Sequence, residues 1–185
     1  MLPRVRVTQH TDGNMKITDE ITVADAVLIL KDAYFLDQLN IAFDLVALPE
    51  ITYGQRIDLS GVKTLGDLLF IPMRVLKGMS ERKVLQMSFV EAYSFGMSVV
   101  KELERMAVRD ESTFKYDPTS EEIKAGFYDI EHGVFGIVDR LAQRLSISHE
   151  AVFDLPEKRV FAMLKIDFDN GMFQRRLNKI IGERK

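Results

Sequence analysis

Ser80-Glu81-Arg82-Lys83-Val84-Leu85-Gln86-Met87-Ser88-Phe89-Val90-Glu91-Ala92-Tyr93-Ser94-Phe95-Gly96-Met97-Ser98-Val99-Val100-Lys101-Glu102-Leu103-Glu104-Arg105-Met106-Ala107-Val108 is a proline-free run, and its periodicity predicts one long helix. At about 100° per residue, Leu85, Phe89, Ala92, Val99, Leu103 and Met106 fall on one stripe, with Gly96 inside it. A second seam of Met87, Val90, Ser94 and Met97 emerges beside Gln86, Lys101 and Glu104, which should form a solvent face. A helix with apolar residues on two sides needs two covers. A central helix in a bundle has two helical neighbours and uses both faces as core. Alternatively, flexible and polarisable methionines suit a surface that accepts varied apolar partners. Both readings stay open, and Met87, Val90 and Met97 are the partner-binding candidates under the second.

With 185 residues, the chain suits one substantial core with a small appendage rather than two equal domains. The composition, 46% hydrophobic and 29% charged, is that of a folding chain. A net charge of −3 argues against a globally phosphate-coated surface and so against nucleic acid as the default partner. The absence of cysteine excludes disulfides, thiolate nucleophiles and cysteine-based metal sites. Met1 to Val7 turns polar at Thr8, Gln9 and His10 before any signal-peptide core forms. No run approaches the roughly 18 apolar residues of a membrane span. The expected location is the cytoplasm, or an assembly built there.

Outward from the long run, Val5, Val7, Met15 and Ile17 alternate around Asp12-Gly13-Asn14, which predicts a small β-hairpin over residues 1–20. Thr22 with Asp25 forms an acidic variant of a capping box and opens a helix through Phe35 and Leu39. A helix is expected to end before Pro49, with a short element at 51–59. Thr64 and Asp67 flank the start of an apolar run, Leu65 to Val75, that Pro72 should kink or break and Gly78 should close. Thr119 with Glu122 caps a helix from Ile123 to Ile130, and Val134 to Leu145 is amphipathic. Ser146 and Ser148 offer caps for a segment reaching Phe153. Pro156, a first-turn proline, precedes a last helix with a break expected at Gly171. No internal repeat stands out. The predicted fold is mainly α, an irregular helical bundle over 21–185 with the N-terminal β-hairpin as an appendage.

Candidate chemistry is sparse. Asp129, Glu131 and His132 are close in sequence, but Glu131 would point away from a face shared by the other two, and no paired histidine follows at helical spacing. His10 and His149 add no partner set. Asp167, Asp169, Asn170 and Gly171 open like a calcium loop, yet the glycine is one position early and Asn178 stands where the closing glutamate belongs. No phosphate-cradling glycine loop or serine elbow is present. Arg175, Arg176, Lys179, Arg184 and Lys185 form a basic end that suits a helix C-terminus, or phosphates. These readings predict no enzyme, no cofactor and no metal site.

Two blocks carry a resemblance. Ile51-Thr52-Tyr53-Gly54-Gln55-Arg56-Ile57-Asp58-Leu59, followed by Leu68 to Met73, the turn Gly78-Met79-Ser80 and a long helix, is similar to the core layout of the tail-assembly chaperones of tailed bacteriophages. Ala125-Gly126-Phe127, Phe135-Gly136, Asp139 to Ala142, Val152, Leu155-Pro156, Val160-Phe161 and Leu164 resemble the C-terminal part of the same proteins. The resemblance spans about residues 51 to 164 and implies a non-enzymatic morphogenesis protein of the host cytoplasm. Its expected partner is a phage tail component, such as the tape-measure protein, whose apolar segments it shields. A head–tail connector or ring subunit of the virion, in which the chain would be a homo-oligomer, is the alternative. A nucleic-acid-binding regulator using the Arg175–Lys185 end is a further one.

Overall fold

The structure, a computed structural model, describes residues 8–9, 15–16, 21–29, 43–129 and 132–182. The chain is mainly helical. Its elements are two short strands, β1 (Thr8–Gln9) and β2 (Met15–Lys16), and the helices α1 (Val23–Ile29), α2 (Tyr53–Leu59), α3 (Leu65–Lys77), α4 (Glu81–Leu85), α5 (Phe89–Thr113), α6 (Ser120–Lys124), α7 (Gly133–Leu145), α8 (His149–Phe153) and α9 (Glu157–Gly182), with a 3₁₀ turn at Phe127–Asp129. The strands pair antiparallel. The turn of the expected hairpin, Asp12-Gly13-Asn14, lies outside the described residues, as does the helix expected from Leu30 to Leu39.

Within the 21–185 span read as one helical domain, the chain groups into two compact units. The first comprises residues up to Pro49 together with Gln55–Arg105, and the second Glu50–Gly54 with Met106–Lys185. The core of the first unit includes Val23, Leu68, Leu69, Met73, Val84 and Phe89. In the second, Val138, Leu141, Val152, Val160 and Met106 are buried.

The run that predicted one long helix from Ser80 to Val108 is two helices. α4 stops at Leu85, Gln86 to Ser88 leave the helix, and α5 starts at Phe89 and continues to Thr113. A tertiary contact overrides helix propensity here. The Met87 carbonyl accepts the Val23 N–H at 3.0 Å, the Phe89 N–H donates to the Ile21 carbonyl at 2.8 Å, and Thr22 and Ser88 form an isolated antiparallel bridge. Those backbone groups cannot also serve an unbroken helix. Ser88 followed by Glu91 is the sequence pattern of a capping box, and it marks the true start of α5.

The same device recurs in the second unit. The Tyr53 N–H donates to the Leu155 carbonyl at 2.9 Å, the Glu157 N–H donates to the Ile51 carbonyl at 3.0 Å, and Thr52 bridges Pro156. Around it, α7, α8 and α9 repeat α3, α4 and α5. The helices are 13, 5 and 26 residues long against 13, 5 and 25. Boundaries match at one constant offset, Leu65 with Gly133, Glu81 with His149 and Phe89 with Glu157. Gly78 and Ser146 end the 13-residue helices in the left-handed region, at φ 60° and 54°. Ser80 and Ser148 then open the five-residue helices from extended backbone. Buried Met73, Val84, Ala92 and Phe95 correspond to buried Leu141, Val152, Val160 and Met163. The chain therefore contains two copies of one helix, short helix, long helix module, a repeat invisible at the level of residue identity.

Acidic capping boxes form at Thr22 and Thr119, where the sequence predicts them, and a third forms at Thr64. Thr22 Oγ1 and N donate to Asp25 Oδ2 at 2.6 and 3.2 Å, Thr64 N donates to Asp67 at 2.9 Å, and Thr119 N donates to Glu122 at 2.9 Å. Other expectations are corrected. α3 runs unbroken through a buried Pro72. α9 runs unbroken through Gly171, because one glycine costs a helix only about 1 kcal/mol. α6 ends at Lys124 rather than Ile130. Phe43 to Glu50 carries no helix; Pro49 favours extended backbone before it, and the Val46 N–H donates to Ser98 Oγ at 2.9 Å instead.

In the first unit α5 meets α3 at Gly96. A Cβ there would lie 2.4 Å from the Leu68 carbonyl oxygen and 2.8 Å from Leu68 Cγ. Gly96→Ala must push two helices apart, and an unfolding titration in urea should show a loss of about 2–3 kcal/mol despite the better helix propensity of alanine. A second outcome concerns acid. Hydrogen bonds from Thr22 hold the Asp25 carboxyl below its ordinary value. Burial raises that of Asp67, but the bonds from Thr64 and Lys63 outweigh it and the net shift is downward. A lowered folded-state pKa contributes stability above the ordinary carboxylate range and loses it as pH falls through the folded-state value. Acid titration followed by circular dichroism should therefore show stability falling with pH, with a shallower slope in Asp67→Asn.

Candidate interaction site

The seam residues are dispersed by the break between α4 and α5. Met87 lies in the break, where its carbonyl holds Val23, while Val90 and Met97 remain two turns apart on α5. All three are half-buried, and Met87 and Met97 pack against the core of the first unit. Ser94, the fourth seam position, is buried. Gln86, Lys101 and Glu104 are exposed, as the solvent-face reading requires.

The second unit presents a more open apolar surface. A cleft of about 360 Å³ runs between α7 and α9, walled by Phe114, Ile137, Leu164, Phe168 and Met172. Its volume is within the range of small ligand sites. The module repeat sets its lining beside the matching positions of the first unit. Where the first unit has Gly96 against α3, the second has Leu164, and where the first has Pro72, the second has Arg140. Both Leu164 and Arg140 line the cleft. Gly171 lines the cleft, and a Cβ placed there would meet nothing within 4 Å.

Charged groups frame the cleft. Arg144 donates to Asp167 at 2.7 Å, and Arg140 approaches the same carboxylate at 3.7 Å. At the other end, the Arg175 guanidinium stacks on Tyr116 at 4.0 Å and lies 3.8 Å from Glu122. The Tyr116 hydroxyl donates to Glu122, and that bond holds the phenol pKa up and the carboxyl pKa down. Beneath, Arg109 on α5 clasps the 2% exposed Glu157 at 2.5 Å, pairs with Asp110 at 2.7 Å and stacks on Phe161 at 3.7 Å. Burial works against the Arg109 charge, and the bonds to Glu157 and Asp110 more than offset it, so its pKa is raised. Phe114 meets Phe161 and Phe168 edge-on, each at 5.6 Å.

The remaining candidates disperse. His132 is exposed at the start of α7 and makes no side-chain cap; Glu131 and His10 lie outside the described residues. His149 Nε2 lies 3.2 Å from Asp139. Asp167 is bound by Arg144, and Asp169 accepts from Lys165 at 2.7 Å, so both serve α9 as ion-pair partners. Among the described residues no three His, Asp or Glu side chains converge as a metal site. Arg175 is engaged by Tyr116 and Glu122, while Arg184 and Lys185 lie outside the described residues. No helix among the described residues is long and apolar enough to cross a membrane.

Removing Arg109 takes a two-pronged cation from a buried carboxylate. Arg109→Met should lower stability by about 3 kcal/mol, and Arg109→Lys should recover only part of this, since a lysine cannot both fork onto Glu157 and stack on Phe161. Differential scanning calorimetry of the two variants checks the order. No family model matches the chain, and neither a curated protein nor a solved structure matches it.

Proposed function

We propose that this chain is a non-enzymatic binding protein that shields apolar segments of a partner, of the kind the resemblance to phage tail-assembly chaperones implies. The observation that carries the reading is the open apolar cleft of the second unit, wide enough for one or two large side chains of a partner helix. Its lining supplies aromatic and aliphatic walls, a flexible Met172 and two arginines at the rim, without a nucleophile beside a base. Half-buried Met87, Val90 and Met97 offer further apolar contact.

The two blocks that carry the resemblance also meet. Ile51-Thr52-Tyr53 of the first pairs with Leu155-Pro156 of the second, Tyr53 stacks on Phe153 at 6.4 Å, and a Cβ at Gly54 would lie 2.9 Å from that of Phe153. In this reading the partner is a tail component such as the tape-measure protein, and the protein acts in the host cytoplasm. The rival reading, a connector or ring subunit of the virion, predicts a stable closed ring, which sedimentation distinguishes.

Gly171 gives the test. Gly171→Ala should leave the cleft open and stabilise α9 by up to about 1 kcal/mol, whereas Gly171→Leu should fill the cleft. Fluorescence anisotropy with labelled apolar helical peptides should show binding by the parent and Gly171→Ala, and loss of binding in Gly171→Leu. Equal binding by all three, or binding by none, rejects the reading.

A further inference from the structure

The face of α9 that points away from the cleft carries a row of exposed apolar residues. Ile166, Phe173, Leu177 and Ile180 are 50, 53, 37 and 50% exposed, and at about 100° per residue they share an arc of roughly 60°. From Phe173 to Gly182 every residue of α9 is exposed. A helical stretch of this length draws little stability from propensity alone and normally depends on packing of its apolar face. The corresponding stretch of α5 has such packing, with Met106 buried and Arg109 held between Glu157 and Phe161.

The pattern on this face is nearly symmetric about Phe173. Ile166 and Ile180 lie two turns to either side. On one flank of the stripe Asp169, which accepts from Lys165 at 2.7 Å and keeps a second carboxylate oxygen for another cation, precedes Phe173, and Arg176 follows it at an almost equal distance. A face of this kind complements itself only when two copies run antiparallel. Ile166 then meets Ile180 of the second copy, the two Phe173 rings meet near the two-fold axis, and each Asp169 faces an Arg176. In a parallel pairing the two charged flanks would lie on opposite sides of the contact, and neither Asp169 nor Arg176 would meet an opposite charge from the other's flank.

We infer that the exposed face of α9 is a homodimer interface in which two copies of this chain pair antiparallel across a two-fold axis near Phe173. The helix stretch from Ile166 to Ile180 is about 21 Å long, so the contact is smaller than the roughly 800 Å² per partner of a standard interface. The dimer is concentration-dependent, and the cleft on the opposite side of α9 stays accessible in it.

Sedimentation equilibrium from micromolar to near-millimolar protein should show a monomer–dimer equilibrium. Phe173→Asp, at a half-exposed position that leaves the fold intact, should weaken it by roughly thirtyfold or more. Asp169→Arg should weaken it and Asp169→Arg with Arg176→Asp should restore it. Because the chain has no cysteine, orientation can be read directly. Under oxidation Ile166→Cys alone and Ile180→Cys alone should give no cross-linked dimer, while the mixture of the two should. A monomer at every concentration, an unchanged equilibrium in Phe173→Asp, or efficient cross-linking of Ile166→Cys with itself would each overturn the assignment.

Discussion

Pro72 has no amide hydrogen, so the Leu68 carbonyl four residues before it loses its helical donor, and Gly96 of α5 rests against that carbonyl. The proline and the glycine act as a pair. One removes a hydrogen that would occupy the space beside the carbonyl, and the other removes the side chain that would collide with it. The consequence is a close crossing of α3 and α5, which buries Leu68, Leu69 and Met73 together with Phe89, Ala92 and Val99. Packing of the first unit depends on that contact, because side chains at native density transmit a change of even one methyl group to their neighbours.

The second unit keeps the module and has a cleft between α7 and α9. Leu164 and Arg140 stand where the first unit has the glycine and the proline, Arg144 on Asp167 ties α7 to α9, and Arg109 on Glu157 ties the end of α5 to α9. Ion pairs tolerate separation better than interdigitated carbon does, and the space between α7 and α9 remains a cleft. One framework thus gives a closed unit and an open one. Two of the positions that differ, 96 against 164 and 72 against 140, lie at the close crossing in one unit and line the cleft in the other, within the same arrangement of helices.

Much of this architecture is legible in the residues. The capping boxes at Thr22, Thr64 and Thr119, the left-handed stop at Gly78 and the short helix after Ser148 follow from local chemistry alone. The break at Met87 does not, because it comes from backbone bonds to Ile21 and Val23 far away in sequence, although Ser88 and Glu91 carried a local sign of it. Pro72 and Gly171 read as breaks because their intrinsic cost is plain in sequence while the packing and ion pairs that sustain α3 and α9 are not. The cleft escaped for a related reason. Ile137, Leu164 and Phe168 have the spacing of core residues, and only the glycine at 171 and the arginine at 140 hint that their helices stand apart. The module repeat was hidden because burial pattern and boundary geometry survive where residue identities do not.

The two bridges, Thr22 with Ser88 and Thr52 with Pro156, also impose an order of events on a growing chain. Each joins a segment made early to the first residue before a long helix made late, so neither module can close until the ribosome has passed its distal partner. The first bridge can form once Phe89 has emerged, and its module packs once Gly96 and Val99 have followed. The second keeps Ile51, Thr52 and Tyr53 waiting until Leu155 and Glu157 arrive. During that interval Arg109, at the end of α5, has yet to meet Glu157 and Phe161. Synthesis therefore passes through a species with one finished unit and one unsatisfied helix end, which makes the second unit the later and more vulnerable part of the chain.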